Sequence, residues 1–149
     1  PQPEKRLFSL SDLLHNLEEL LQTNFQENNI SFTLRCSPEP MMTEGDEKQL
    51  SQVFLNLLKN AMQALEGHPH GELSLQAEQD EYIVIDITDN GPGIPPEIMD
   101  KVFIPFFTTK SEGTGIGLSL CKEIIRRHEG HLAIKESRAG KTVFHIELP

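Results

Sequence analysis

Leu13, Leu14, Leu17, Leu20, Leu21 and Phe25 recur at helical spacing and give one apolar face, which predicts a helix near 11–28. Ser11 or Asp12 can cap it by offering a side-chain oxygen to the free amides of the first turn. The period then changes: between Ile30 and Cys36, Phe32 and Leu34 fall on one side, as in a strand with one buried face. Gly45 and Asp46 open a second helix with Leu50, Val53, Phe54, Leu57, Leu58, Ala61, Ala64 and Leu65 as its apolar positions, and Gly67 and Pro69 end it. Two strand patterns follow, Leu73 to Ala77 and Tyr82 to Thr88, the latter with Ile83, Ile85 and Ile87 on one face. Residues 90–115 are rich in turn formers. A third helix runs from about Ile116 to His128, with Cys121, Ile124 and Ile125 inward and Gly130 as its stop. Leu132 and Ile134, then Phe144, Ile146 and Leu148 beyond Gly140, alternate as a closing hairpin. Strands and helices that do not alternate strictly predict an α+β two-layer sandwich, one mixed sheet covered on one face by three helices.

Composition sets the chemical bounds. A chain of 149 residues fits one domain and buries about 70% of its unfolded surface, enough for a core without staples. Cys36 and Cys121 read as buried, reduced thiols, which points to a cytoplasmic origin. The apolar runs fall far short of the roughly 18 residues of a membrane span, and no signal-peptide pattern opens the sequence. Pro1-Gln2-Pro3-Glu4-Lys5 reads as linker. The net charge of −10 argues against a nucleic-acid partner, which would need Lys and Arg on one face. A nucleotide can still bind where backbone N–H groups and a metal cation neutralise its phosphates locally.

Three features carry chemistry. Gln52, Asn56 and Asn60 recur every fourth residue and form one row along the edge of the second helix's apolar face. Such a row is either a solvated edge or a set of amide oxygens suited to a hard cation such as magnesium. Asp89-Asn90-Gly91-Pro92-Gly93-Ile94 follows a central strand. The glycines and proline make a tight turn, but a carboxylate at the end of an apolar strand needs a donor, and a purine amine would supply one. Phe103-Ile104-Pro105-Phe106-Phe107-Thr108-Thr109-Lys110 then leads to Gly113-Thr114-Gly115-Ile116-Gly117-Leu118. Three phenylalanines suggest a loop anchored at one end, and glycines leading into a helix leave backbone amides open to phosphate. The stretch from about Phe106 to Gly115 is expected to be mobile without nucleotide, with Lys110 its only cation and a γ-phosphate partner or a solvated lysine.

Other grammars fail. Ala139-Gly140-Lys141-Thr142 ends like a P-loop, yet that motif's first glycine would fall at Lys135. The catalytic-loop signature of eukaryotic-type protein kinases is missing. His68-Pro69-His70 has metal-binding side chains but reads as a glycine-flanked loop.

In combination and in this order, the motifs resemble the ATP-binding domains of bacterial sensor histidine kinases, within the superfamily shared with DNA gyrase, heat-shock chaperones and mismatch-repair ATPases. Asn56 to Ala61 resembles the N box, Asp89 to Gly93 the first glycine box, Phe103 to Phe107 the F box and Gly113 to Leu118 the second glycine box. The resemblance covers nearly the whole chain and implies a Bergerat-type ATP-binding fold over 7–149, with 1–6 a linker from a dimerisation and phosphoacceptor domain. It further implies that Asn60 coordinates Mg2+, Asn56 sits at the phosphates, and Asp89 binds the adenine amino group. Gly91, Gly93 and Ile94 would line the base pocket, with Thr142 beneath the base. Thr109, Lys110, Gly113, Thr114, Gly115, Gly117 and Leu118 would close over the triphosphate as a lid, with Asn56 and Lys110 at the chemistry. The implied reaction is transfer of the γ-phosphoryl group of Mg-ATP to a histidine on the dimerisation domain, and from there signalling to a response regulator. The short Phe107 to Lys110 segment is most similar to kinases that signal to enhancer-binding activators. Severed from its dimerisation domain, such a unit is expected to be monomeric, while the full-length protein can carry a membrane anchor.

The resemblance also exposes gaps. The family's acceptor histidine is followed by an acidic residue and soon by a proline, and His15-Asn16-Leu17 has neither. Autonomous ATPases and serine kinases of the superfamily carry a glutamate four residues before the metal-binding asparagine, as general base. That position is Asn56 here, and an amide cannot take the proton. A nucleotide-independent docking module would be expected to have lost its motifs, whereas all of them are present.

Overall fold

The computed structural model describes residues 2–107 and 117–149. In chain order it contains β1 (Arg6–Ser9), α1 (Leu10–Glu27), β2 (Ile30–Ser37), β3 (Met42–Gly45), α2 (Glu47–Ala64), β4 (Gly71–Gln79), β5 (Ile83–Asp89), a 3₁₀ turn (Pro96–Lys101), α3 (Gly117–Arg127), β6 (His131–Arg138) and β7 (Lys141–Leu148). The main sheet runs β2-β4-β5-β7-β6. Strand β2 is parallel to β4 and the other neighbours are antiparallel, so the sheet is mixed, as expected. Ile83, Ile85, Ile87 and Asp89 alternate toward the buried face of β5, where α2 packs. The carboxylate is thus the last member of an apolar row.

Strands β1 and β3, which pattern reading missed, form a separate antiparallel pair that brings Phe8 opposite Thr43. Helix α1 begins earlier than expected. Ser9, rather than Ser11 or Asp12, is its N-cap, and its Oγ accepts the Asp12 amide at 3.1 Å. Ser11 lies inside, where its hydroxyl accepts the Met41 amide at 2.9 Å and holds the segment before β3 against the helix. Leu20 is 64% exposed. At about 100° per residue it falls beyond Leu13 on the rim of the arc formed by Leu10, Leu13, Leu14, Leu17, Leu21 and Phe25. Ala64 is likewise exposed and Cys36 only half-buried, so neither belongs to the core; both cysteines are free and Cys121 is buried.

Asp46 caps α2, its Oδ1 accepting the Gln49 amide at 3.1 Å. Its own amide donates to His128 Nε2 at 2.9 Å, while His128 Nδ1 lies 2.8 Å from the Ile124 carbonyl. Only the tautomer with its proton on Nδ1 satisfies both partners. The buried imidazole therefore joins the end of α3 to the start of α2. After α3 the left-handed residue is Glu129, with φ 61°, not Gly130. Gly130 is demanded by packing instead, because a Cβ there would collide with the Glu147 carbonyl.

Candidate functional site

The end of β5 is braced from two sides. Asp89 is 5% exposed and registers between Leu73 of β4 and Thr142 of β7. Its Oδ1 accepts the Gly91 amide at 2.9 Å. Burial pushes the Asp89 carboxyl above the usual carboxylate range, and the Gly91 amide partly offsets that shift. Asn90 faces β4: its Oδ1 accepts the Glu72 amide at 2.7 Å and its Nδ2 donates to the His70 carbonyl at 3.0 Å. On the other side the Ile94 amide donates to Ser137 Oγ at 2.8 Å, and Ser137 Oγ lies 3.0 Å from Thr142 Oγ1. The turn is thus a fixed wall that brings Asp89, Gly91, Gly93, Ile94 and Thr142 together.

Glycine is required in that wall. A Cβ on Gly91 would come within 2.9 Å of Asp89 Oδ1 and 3.1 Å of the Ala64 carbonyl. Gly93 has φ +87° and its Cβ would lie 2.6 Å from the Arg138 carbonyl. Ala64 stands one turn beyond Asn60 on the same side of α2, so the Asn56–Asn60–Ala64 row runs toward the glycine loop.

Asn56 and Asn60 are half-buried while Gln52 is exposed. The Asn56 amide also hydrogen-bonds the Cys121 thiol, which reaches the Val53 carbonyl at 3.7 Å. Burial pushes that thiol up to about 12, so it is an inert packing group against α2. Asn60 has the donor chemistry for a hard cation, a neutral amide oxygen at the helix edge. At the start of α3, a Cβ on Gly117 would meet nothing within 4 Å among the described residues; Leu118, next along, packs against the core.

Thr109, Lys110, Gly113, Thr114 and Gly115, with the lid expected of them, lie outside the described residues. Of the three phenylalanines, Phe103 is the anchor. It meets Phe144 edge-on with centroids 6.3 Å apart, and Lys122 Nζ lies 4.4 Å from its ring centre. Phe106 is 78% exposed and anchors nothing among the described residues. Pattern reading also missed Ser137 and Gly140 as braces. Their only signal is sequence proximity to Thr142, and Gly140 reads in sequence as the hairpin turn and as part of a failed P-loop.

Residues 45–149 match the family described as histidine kinase-, DNA gyrase B- and HSP90-like ATPase, and the chain belongs to that family. It is 38% identical over 144 residues to sporulation kinase C of Bacillus subtilis, covering 94% of this chain and 33% of that protein. With the sensory histidine kinase/phosphatase NtrB of Rhodobacter capsulatus the identity is 34% over 161 residues, covering 99% of this chain and 44% of that protein. The chain therefore spans well under half the length of these relatives. The nucleotide-free catalytic domain of the histidine kinase ThkA superposes with TM-score 0.88 at 32% identity, covering 98% of this chain and 95% of that one. ThkA in complex with the response regulator protein TrrA gives TM-score 0.83 at 30% identity, covering 99% of this chain and 42% of that one. The α+β fold is that of a sensor histidine kinase catalytic domain, and a nucleotide is the ligand class its family binds.

Proposed function

We propose that this domain binds Mg-ATP against the wall of Asp89, Gly91, Gly93, Ile94 and Thr142 and donates the γ-phosphoryl group to a histidine on a separate dimerisation domain. The observation that carries the reading is the Asp89 carboxylate, buried at the end of an apolar row with Oδ1 already bonded to Gly91. A buried carboxylate favours a further donor, and the adenine amino group is one. Asn60 holds the magnesium ion and Asn56 orients the phosphates; the Asn56–Asn60–Ala64 row leading to the glycine loop supports both roles. Thr109, Lys110 and Gly113 to Leu118 close over the triphosphate, Lys110 meeting the γ-phosphate. The bound metal would neutralise the phosphate charge that an acidic chain of net charge −10 otherwise repels.

The autonomous ATPase reading is not favoured, because Asn56 offers no base for a water nucleophile. Residues 1–6 lead from the dimerisation domain and 7–149 form the catalytic unit. The partners are that domain and a response regulator, consistent with the regulator bound to ThkA, and the short Phe107 to Lys110 segment, similar to that of kinases signalling to enhancer-binding activators, favours that regulator class. No helix among the described residues is long and apolar enough to cross a membrane.

Calorimetry with a non-hydrolysable ATP analogue and magnesium tests the site. One bound nucleotide is expected. Asp89→Asn should lose about 1.5–3 kcal/mol of affinity, the contribution of a hydrogen bond to a charged group. Affinity within about twofold of the parent would remove Asp89 from the adenine site.

A further inference from the structure

We infer that His15, Cys36 and Glu39 form a site for one zinc-class divalent cation, remote from the nucleotide wall. Their ligating atoms all lie within 4.8 Å of one another, and His15 Nε2 is 2.7 Å from Glu39 Oε1. The three residues come from α1, β2 and the loop between β2 and β3, so only the fold brings them together.

Zinc takes imidazole nitrogen and carboxylate oxygen at about 2.0–2.2 Å and thiolate sulfur at about 2.3 Å, near tetrahedral angles. Tetrahedral ligands at those distances stand roughly 3.3–3.8 Å apart. The His15–Glu39 pair must therefore open by about half an ångström and the sulfur close in by up to about 1 Å. His15 and Glu39 side chains are 46% and 47% exposed, so rotamer adjustment accomplishes this without disturbing the core.

The backbone beneath is already held. The Leu10 amide donates to the Met41 carbonyl at 2.7 Å and the Met41 amide to Ser11 Oγ at 2.9 Å. Ser11 lies one helical turn before His15 on the same face. Met41, two residues past Glu39, is fully buried, and Pro38 and Pro40 restrict φ on either side of Glu39.

The ligand types select the metal. A soft sulfur with an imidazole and one carboxylate favours zinc-class ions over magnesium or calcium, which prefer all-oxygen shells. A water completes four ligands, while Glu18 Oε1, 3.8 Å from His15 Nδ1, faces the other ring nitrogen and can orient the imidazole. Burial, then Glu39 and Glu18 nearby, pushes the Cys36 thiol up to about 11, so a metal binding there must displace the thiol proton.

The site stands away from phosphoryl transfer. Cys36 registers with Ala77, which registers with Ile85, four residues before Asp89 on β5 and so about 13 Å along the strand. A bound ion would cross-link α1 to the β2–β3 loop, which continues into β3 and so to its partner β1.

Titration of the 149-residue chain with Co2+, a visible stand-in for zinc, tests this. The expected result is one equivalent bound, with a thiolate-to-cobalt charge-transfer band that Zn2+ abolishes. Cys36→Ser should lose the band and Cys121→Ser keep it. His15→Ala and Glu39→Gln should each weaken Co2+ by about tenfold or more, while His68→Ala, at the loop histidines, should change nothing. All these positions except Cys121 are at least partly exposed, and circular dichroism will confirm that the variants fold. Absence of a band under excess Co2+, a band that survives Cys36→Ser, or unchanged affinity in His15→Ala would each overturn the site.

Discussion

The amide of Gly140 donates to the carbonyl of Gly91 at 2.8 Å, joining the β6–β7 turn to the loop that follows β5. Through this bond and the Ile94–Ser137 bond, the far hairpin fixes the position of the residues beside Asp89. The wall around Asp89 is therefore a tertiary product of two segments about fifty residues apart in sequence, not a property of the glycine turn alone.

Gly93→Ala tests that dependence. An alanine at φ +87° costs about 1–2 kcal/mol from the left-handed conformation alone. Its Cβ would also lie 2.6 Å from the Arg138 carbonyl and force the two segments apart. Gly140→Ala is the matched control, with φ +90° and, among the described residues, nothing within 4 Å of the new Cβ. In urea unfolding Gly93→Ala should lose clearly more stability than Gly140→Ala, and nucleotide affinity should fall with it. Equal losses would show that the contact with Arg138 does not brace the wall.

Asp89 should weaken the domain in the absence of nucleotide. Its folded carboxyl is raised by burial above the unfolded value of about 3.9, so the folded state holds the proton more tightly. That contribution to stability is complete below the unfolded pKa and is lost as pH rises through the folded one. Asp89→Asn removes the loss and leaves Oδ1 to accept from Gly91. Without nucleotide, the variant should match or exceed the parent in urea unfolding at pH 7. Its advantage should shrink as pH falls toward about 4. A parent more stable than the variant at pH 7 would contradict this account of the carboxylate.

Asn60→Ala separates metal from base recognition. If the Asn60 amide oxygen is a magnesium ligand, the variant should bind the ATP analogue as the parent does in EDTA, and should lose the gain that magnesium brings. Asn60→Asp is less informative, because a carboxylate also binds magnesium. Unchanged magnesium dependence in Asn60→Ala would reassign the metal.

Strong periodicity made the three helices and the five main strands legible, since Ile83, Ile85 and Ile87 or Leu13, Leu17 and Leu21 admit one period each. Strands β1 and β3 were not legible, because four residues carry too little alternation and their pairing is non-local. The cap moved from Ser11 to Ser9 for a related reason. Ser11 is claimed by Met41, thirty residues on, and no local signal announces that bond. Asp89, Gly91 and Gly93 stood out because a charge ending an apolar row and glycines around a proline are locally anomalous. Ser137 and Gly140 are ordinary hairpin residues in sequence and reach the loop after β5 only through tertiary bonds to Ile94 and Gly91. The His15–Cys36–Glu39 cluster was invisible for the same reason, with His15 readable only as a surface helix residue.

The 149-residue chain should bind ATP and use it hardly at all. Phosphoryl transfer depends on an acceptor held in line with the γ-phosphate, and correct positioning can be worth about 7–11 kcal/mol of barrier. His128 alone among the histidines precedes an acidic residue, Glu129, yet it is 3% exposed with one ring nitrogen at the Asp46 amide and the other at the Ile124 carbonyl. It cannot present a nucleophile. His15 is exposed but followed by Asn16, and Asn56 stands where a glutamate would activate water. Incubated with labelled ATP, the 149-residue chain should therefore neither label itself nor hydrolyse more than a trace. Adding a dimerisation domain, fused or in trans, should place label on a histidine of that domain, acid-labile as phosphohistidine is. His128→Asn should leave that transfer intact if the domain folds, because the residue is structural. Turnover of ATP by the chain alone at about 1 s⁻¹ or faster, the lower end of ordinary enzyme rates, would instead identify an autonomous ATPase and require a base other than Asn56.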